Sequence, residues 1–193
     1  CFMSAWQRDV LRQNPRMFHV DSTHKSSFGP RNDDEDAYLF TICVKNQKTG
    51  SVAPCAFMLS NASTAPVIAD FLYKVQVFTG VTPTQAAIDC DEAGTALRAA
   101  WGPFIPIIYC RFHLEKAFRE QLDQKIQPSS NKEDIKTEIY HDFKRVLASR
   151  NDSEAHHNIC WFLKKHEVHA EFVSYMVQHW FARRDFIIEG CNP

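Results

Sequence analysis

No apolar run in this 193-residue chain approaches the roughly 18 residues that a membrane-crossing helix needs, and no signal-peptide pattern opens it. An excess of positive charge is missing as well: 22 Lys and Arg stand against 23 Asp and Glu, a formal net charge of −1. A protein that grips nucleic acid along its whole surface is clearly basic, so any such contact here must rest on local patches or on residues outside this chain. There is no regular disulfide framework. The seven cysteines (1, 43, 55, 90, 110, 160 and 191) are odd in number, and Cys43, Cys55 and Cys90 sit in apolar, strand-like runs where cysteine behaves as a small hydrophobe. That usage fits a reducing, intracellular setting. Internal repeats, low-complexity tracts and a basic import signal are absent.

What the chain has is enough material for a core. It is 45% hydrophobic and 12% aromatic, with an ordinary 23% of charged residues, which excludes a disordered segment. Length and composition fit one domain, or one domain with a helical annex. Phe2, Trp6, Val10 and Leu11 share a face of a short helical lead-in over 1–16, and Pro15 ends it. Met17–Thr23, Tyr38–Val44 and Val52–Leu59 read as strands, the last two joined by the turn Lys48-Thr49-Gly50-Ser51. The acidic run Asp33-Asp34-Glu35-Asp36 reads as a solvated loop. Val67, Ile68, Phe71, Leu72 and Val75 repeat at helical spacing behind Pro66. A fourth strand follows over Thr84–Glu92, then an alanine-rich helix capped by Asp91, then a fifth strand over Ile105–Tyr109. From Leu114 the pattern is helical, with capping-box spacings at Ser130/Glu133 and Asn151/Glu154. The order β-β-β-α-β-α-β predicts an α/β fold with a mixed five-stranded sheet and helices on both of its faces. The expected divisions are a lead-in over 1–16, a core over 17–126 and a helical insertion over 127–193.

Two of these strands end in acid. Met17-Phe18-His19-Val20 leads into Asp21, and Ala86-Ala87-Ile88 leads into Asp89 and Asp91. A buried strand has no structural use for a carboxylate at its end unless a cation offsets the cost of its burial. If the first and fourth strands lie side by side and parallel, Asp21 and Asp91 are placed to share a divalent metal. The plainer roles are an Asx-turn for Asp21 and a helix N-cap for Asp91. Strand alternation gives Asp89 and Asp91 the same facing, so the pattern leaves Asp89 open beside Asp91.

Val20-Asp21-Ser22-Thr23-His24-Lys25, followed by Ile88-Asp89-Cys90-Asp91-Glu92 and then by Cys110-x-x-His113, resembles the Mutator-like (MULE/MuDR) transposases in order and spacing from Met17 to Phe118. The helical run to Trp180 resembles that family's insertion. The resemblance implies an RNase H-like fold with a DDE/D triad, two Mg²⁺ (or Mn²⁺) ions, and hydrolysis and transfer of DNA strands in the nucleus. It implies Asp21 and Asp91 as the first two acids, Asp91 being favoured when Ala99 is set against the family's recurrent helix alanine. The third acid of the family is a glutamate beyond a tryptophan like Trp180. Glu189 and Asp185 fall in that window, but the family glutamate is expected beyond Pro193. Both ends of the chain read as cuts in a longer polypeptide, so the expectation is a catalytic core that does not transpose DNA unaided.

Other readings stay beside it. Cys110 and His113 have the spacing of half a zinc site, for which His156, His157, Cys160, His166 or His169 could supply the rest. In the plainer account Cys110 packs and His113 caps a helix. Lys25 and Arg111 are candidates for phosphate contacts, and an ordinary solvated face is the alternative. A domesticated DNA- or chromatin-binding derivative without catalysis, or a zinc-stabilised interaction module, are the rival functions. A homo-oligomer on paired DNA ends is what the family would lead one to expect.

Overall fold

The computed structural model describes residues 1–23, 37–128 and 130–191. Its contacts divide the chain into two compact units, Cys1–Cys110 and Arg111–Pro193. The division falls at the end of the fifth strand, one helix earlier than the expected boundary at 126.

The first unit is α/β. Helix α1 (Ala5–Gln13) is closed by a capping box in which Ser4 accepts from the Gln7 N–H and Gln7 accepts from the Ser4 N–H. It buries Val10 and Leu11, whereas Phe2 and Trp6 stay exposed. Phe2 leaves the helical stripe because it forms an antiparallel bridge and a ring stack with Phe57.

Strands β1 (Met17–Thr23), β2 (Tyr38–Lys45) and β3 (Val52–Ser60) form an antiparallel meander. Helix α2 (Ala65–Thr79) has Pro66 in its first turn and ends on Gly80, whose φ of 69° is the left-handed cap that lacks a Cβ penalty. Strand β4 (Gln85–Ile88) then pairs parallel with β1, and after α3 (Asp91–Trp101) strand β5 (Ile107–Tyr109) pairs parallel with β4. The five-stranded mixed sheet has the order β3-β2-β1-β4-β5.

Alternation along β1 explains the core. Phe18 and Val20 are buried on one face with Phe40, Ile42, Val44 and Ile88, and α3 lies against it, its Trp101 ring edge-on to Phe18 at 5.7 Å. Gly94 allows that approach: a Cβ there would lie 3.1 Å from Ile88 Cδ1. His19 and Asp21 take the opposite face, half-buried, across from Cys43 and Thr41 of β2.

Strand β4 is shorter than its apolar pattern suggested. It stops at Ile88, Cys90 rather than Asp91 is the N-cap of α3, and Asp91 is the first helical residue. Strand alternation therefore does not reach Asp91, and the inference that it faces as Asp89 does fails on that ground.

The second unit is helical: α4 (Arg111–Lys125), α5 (Lys132–Leu147), α6 (Asp152–Lys165), α7 (Ala170–His179) and the single turn α8 (Arg184–Ile187), with a 3-10 turn on each side of α8. Stacked or edge-on phenylalanines fill its centre, Phe118 lying on Phe143 at 4.0 Å and meeting Phe172, and Phe143 meeting Phe162. Asn151 caps α6 through the Glu154 N–H, while Glu154 reaches the Arg150 N–H instead of closing the box on Asn151. The cap expected from Ser130 falls to Asn131, with no side-chain hydrogen bond. Among the described residues, no helix is long and apolar enough to cross a membrane.

Candidate functional site

The carboxyl ends of two adjacent parallel strands are where open α/β sheets place their ligands, because the strands stop there and the following loops diverge. Here those ends carry acid. The register pairs Val20 with Ile88, so Asp21 and Asp89 stand at neighbouring positions one residue beyond that pair.

Two hydrogen bonds fix Asp89 to β1. The Ser22 N–H donates to Asp89 Oδ2 at 2.8 Å, and the Ser22 hydroxyl donates to the same oxygen at 2.7 Å. The physical cause is the early end of β4. With no further β4 backbone paired there, the carboxylate takes the N–H that a longer ladder would have engaged. The second oxygen, Oδ1, is buried, and among the described residues no donor reaches it with hydrogen-bond geometry. A buried carboxylate oxygen without a donor is costly, since desolvation is not offset by any partner. Such an atom is a natural ligand for a hard cation.

The neighbours keep this corner non-basic and non-nucleophilic. Burial lowers the pKa of His19, which favours the neutral imidazole. The Cys43 thiol is pushed up by burial and by the Asp21 carboxylate. Cys90 is pushed up to about 12, first by burial and then by the charge of Asp89. Thiols held this high remain protonated at neutral pH and are poor nucleophiles.

Asp91 is placed differently. It lies exposed in the first turn of α3, where a negative charge suits the helix dipole, and its Oδ1 accepts a hydrogen bond from the Tyr109 hydroxyl of β5. Of the two acids left open by the sequence, Asp89 is hydrogen-bonded to Ser22 of β1, the strand of Asp21.

No family model matches the chain. No curated protein matches it either. Among solved structures, a chain of the simian T-cell lymphotropic virus intasome in complex with PP2A regulatory subunit B56 gamma is similar at 14% identity with a TM-score of 0.34. The likeness covers 64% of this chain and 47% of that one. It spans under half of that chain, and so loose a superposition bears on neither fold nor function.

The remaining expected residues scatter. Cys110 follows β5, and its N–H donates to the Ile88 carbonyl at 2.7 Å. His113 lies in the first turn of α4, edge-on to Phe112. Of the residues expected to complete a zinc site, His166 is bonded to Asp142, and His156 and Cys160 lie 3.7 Å apart one turn along α6. Among the described residues no three His, Cys, Asp or Glu side chains gather to hold a metal. Arg111, expected to meet phosphate, forms an ion pair with Glu115 through Nε at 2.8 Å. Lys25 lies outside the described residues. Glu189 begins the 3-10 turn Glu189–Cys191, and its side chain is outside the described part. Asp185 lies in α8.

Nothing in the sequence pointed to Ser22 as the residue that holds Asp89. Its role follows from the parallel register, which short apolar strands do not encode residue by residue.

Proposed function

We propose that the Cys1–Cys110 unit is an RNase H-like, metal-dependent phosphodiester-cleaving core of the kind found in DDE/D transposases, with Asp21 and Asp89 as its first two acids. The observation that carries the reading is Asp89 itself, one oxygen tied to Ser22 and the other buried, beside the strand of Asp21, with no donor among the described residues. The strand order and the motifs shared with Mutator-like transposases support it. DNA is the proposed substrate, and the nucleus the proposed place of action.

The donor set suits Mg²⁺ or Mn²⁺, which take hard oxygen ligands and retain waters, so few protein carboxylates suffice. Asp21 and Asp89 would hold the metal, and when bound it would supply a Lewis acid at phosphorus and an activated water. The chain's own contribution is positioning. Ser22 fixes Oδ2, so the carboxylate cannot rotate and Oδ1 is the oxygen left to coordinate. His19, kept neutral by its burial, adds no competing positive charge on that face.

Titration calorimetry with Mn²⁺ tests the reading. The wild-type chain should bind, and Asp21→Asn should not. A wild-type chain indifferent to Mn²⁺ would overturn the proposal and favour a decayed, non-catalytic derivative.

Ser22→Ala gives a finer check. It deletes the hydroxyl bond and leaves the backbone bond, so Mn²⁺ affinity should fall about tenfold, the low end of what an outer-shell partner is worth. Ser22→Thr, which keeps a hydroxyl, should restore most of it. Equal affinity for all three proteins would remove Ser22 from the account.

A further inference from the structure

The second unit carries a cationic surface that the site above does not use. Two half-buried aromatic rings, Tyr140 of α5 and Trp161 of α6, are each flanked by two cations. The Arg119 guanidinium lies 4.5 Å from the Tyr140 ring centre and the Lys144 ammonium 4.7 Å. Arg145 lies 4.4 Å from the Trp161 ring and Lys165 5.1 Å.

Acids counter some of these charges. Lys165 is paired with Glu138 and Asp142, each at 2.7 Å. Arg119 donates to the Tyr140 hydroxyl at 2.8 Å, which in turn donates to Glu115. Lys144 and Arg145 are different. Both are exposed near the end of α5, and among the described residues no ion pair or side-chain hydrogen bond neutralises either. A helix C-terminus favours cations there, but a few tenths of a kcal/mol of dipole energy does not require two, each laid on an aromatic face.

We infer that Lys144 and Arg145 form a contact for the phosphate backbone of duplex DNA. A guanidinium stacked on an indole is held away from the carboxylates of its own helix, and its N–H edges remain free to meet phosphate oxygens in a fork. The rings do not act as base-stacking platforms, because cations already lie over them. That favours backbone contact without sequence readout, and a duplex over a single strand. The choice of DNA over another phosphate polyanion rests on the function proposed above.

The test is duplex binding by fluorescence anisotropy in EDTA, so that it does not depend on metal. Wild type is compared with Lys144→Ala/Arg145→Ala and with a control, Lys116→Ala/Lys164→Ala, which removes the same charge from cations paired with Glu120 and Glu167. Loss of two phosphate contacts should lower the slope of log K against log salt by about 1.8. Wild type should then lose about twelvefold more affinity than the α5 variant between about 50 and about 200 mM salt. The control should stay near wild type.

An unchanged slope in the α5 variant, equal weakening by the control, or equal affinity for a single strand or for anionic lipid vesicles would each overturn the inference. The two proposals fail separately. Asp21→Asn should leave this binding intact, and the α5 variant should leave Mn²⁺ affinity intact.

Discussion

Asp89→Asn is expected to weaken Mn²⁺ binding by more than the 10- to 100-fold that loss of an outer-shell partner typically costs. The substitution is nearly isosteric, and its carbonyl oxygen can keep both hydrogen bonds from Ser22. The amide nitrogen then occupies the place of Oδ1, and an NH₂ group donates hydrogen bonds and does not ligate a cation. Folding should survive, because the change removes a half-buried negative charge beside Asp21 and keeps both bonds from Ser22. Asp91→Asn is the matched comparison. It keeps an acceptor for Tyr109 and gives up a helix-dipole interaction worth about 0.3–1 kcal/mol, so metal affinity should barely move. Calorimetry on the two variants, with circular dichroism to confirm folding, decides between them. Loss of binding in Asp91→Asn with Asp89→Asn unaffected would return the second acid to Asp91 and leave the buried Oδ1 unexplained.

That comparison marks where the sequence stopped being legible. Strands β1, β2 and β3 and helix α2 were readable almost to the residue, because β-branched alternation, a turn at Lys48–Ser51 and Pro66 behind Thr64 are local signals. The mixed sheet followed from the order of those elements. The end of β4 was not readable. Ala86-Ala87-Ile88-Asp89-Cys90 continues an apolar pattern, and only the start of α3 at Asp91, a packing decision that places Gly94 against Ile88, cuts the strand short. With that cut the choice between two acids two residues apart changes. Register posed the same limit for Ser22, and tertiary packing for Asp142, which the helical periodicity of α5 passes over as one more polar residue.

Asp142 carries the largest expected stability effect in the second unit. It is 5% exposed and His166 4%, so the pair is effectively out of water. Asp142 Oδ2 accepts from Lys165 Nζ at 2.7 Å and from His166 Nε2 at 2.9 Å, joining α5 to the end of α6. Burial by itself would raise the Asp142 carboxyl, but the bonds from Lys165 and His166 outweigh it and hold the pKa below its ordinary value. Burial lowers His166 from its ordinary 6.5, with Asp142 opposing. Asp142→Ala leaves His166 buried without its acceptor, while Lys165 retains Glu138. Breaking a buried pair from one side typically costs about 3–5 kcal/mol, and the surviving Lys165–Glu138 contact places this case near the lower figure. The pH dependence has a definite sign. Both groups have folded-state pKa values below their unfolded ones, so the unfolded chain binds more protons and stability rises with pH. As pH falls, stability should begin to drop near 6.5, where unfolded His166 protonates, and drop again below 3.8 as unfolded Asp142 does. Urea unfolding at a series of pH values reads both steps; His19 adds to the first and Glu115 and Asp123 to the second, so Asp142→Ala should shrink the second step and keep the first. A wild-type stability that is flat between pH 8 and 5, or a variant within about 1 kcal/mol of wild type, would mean that water reaches this pair and that α5 and α6 are held by their other contacts.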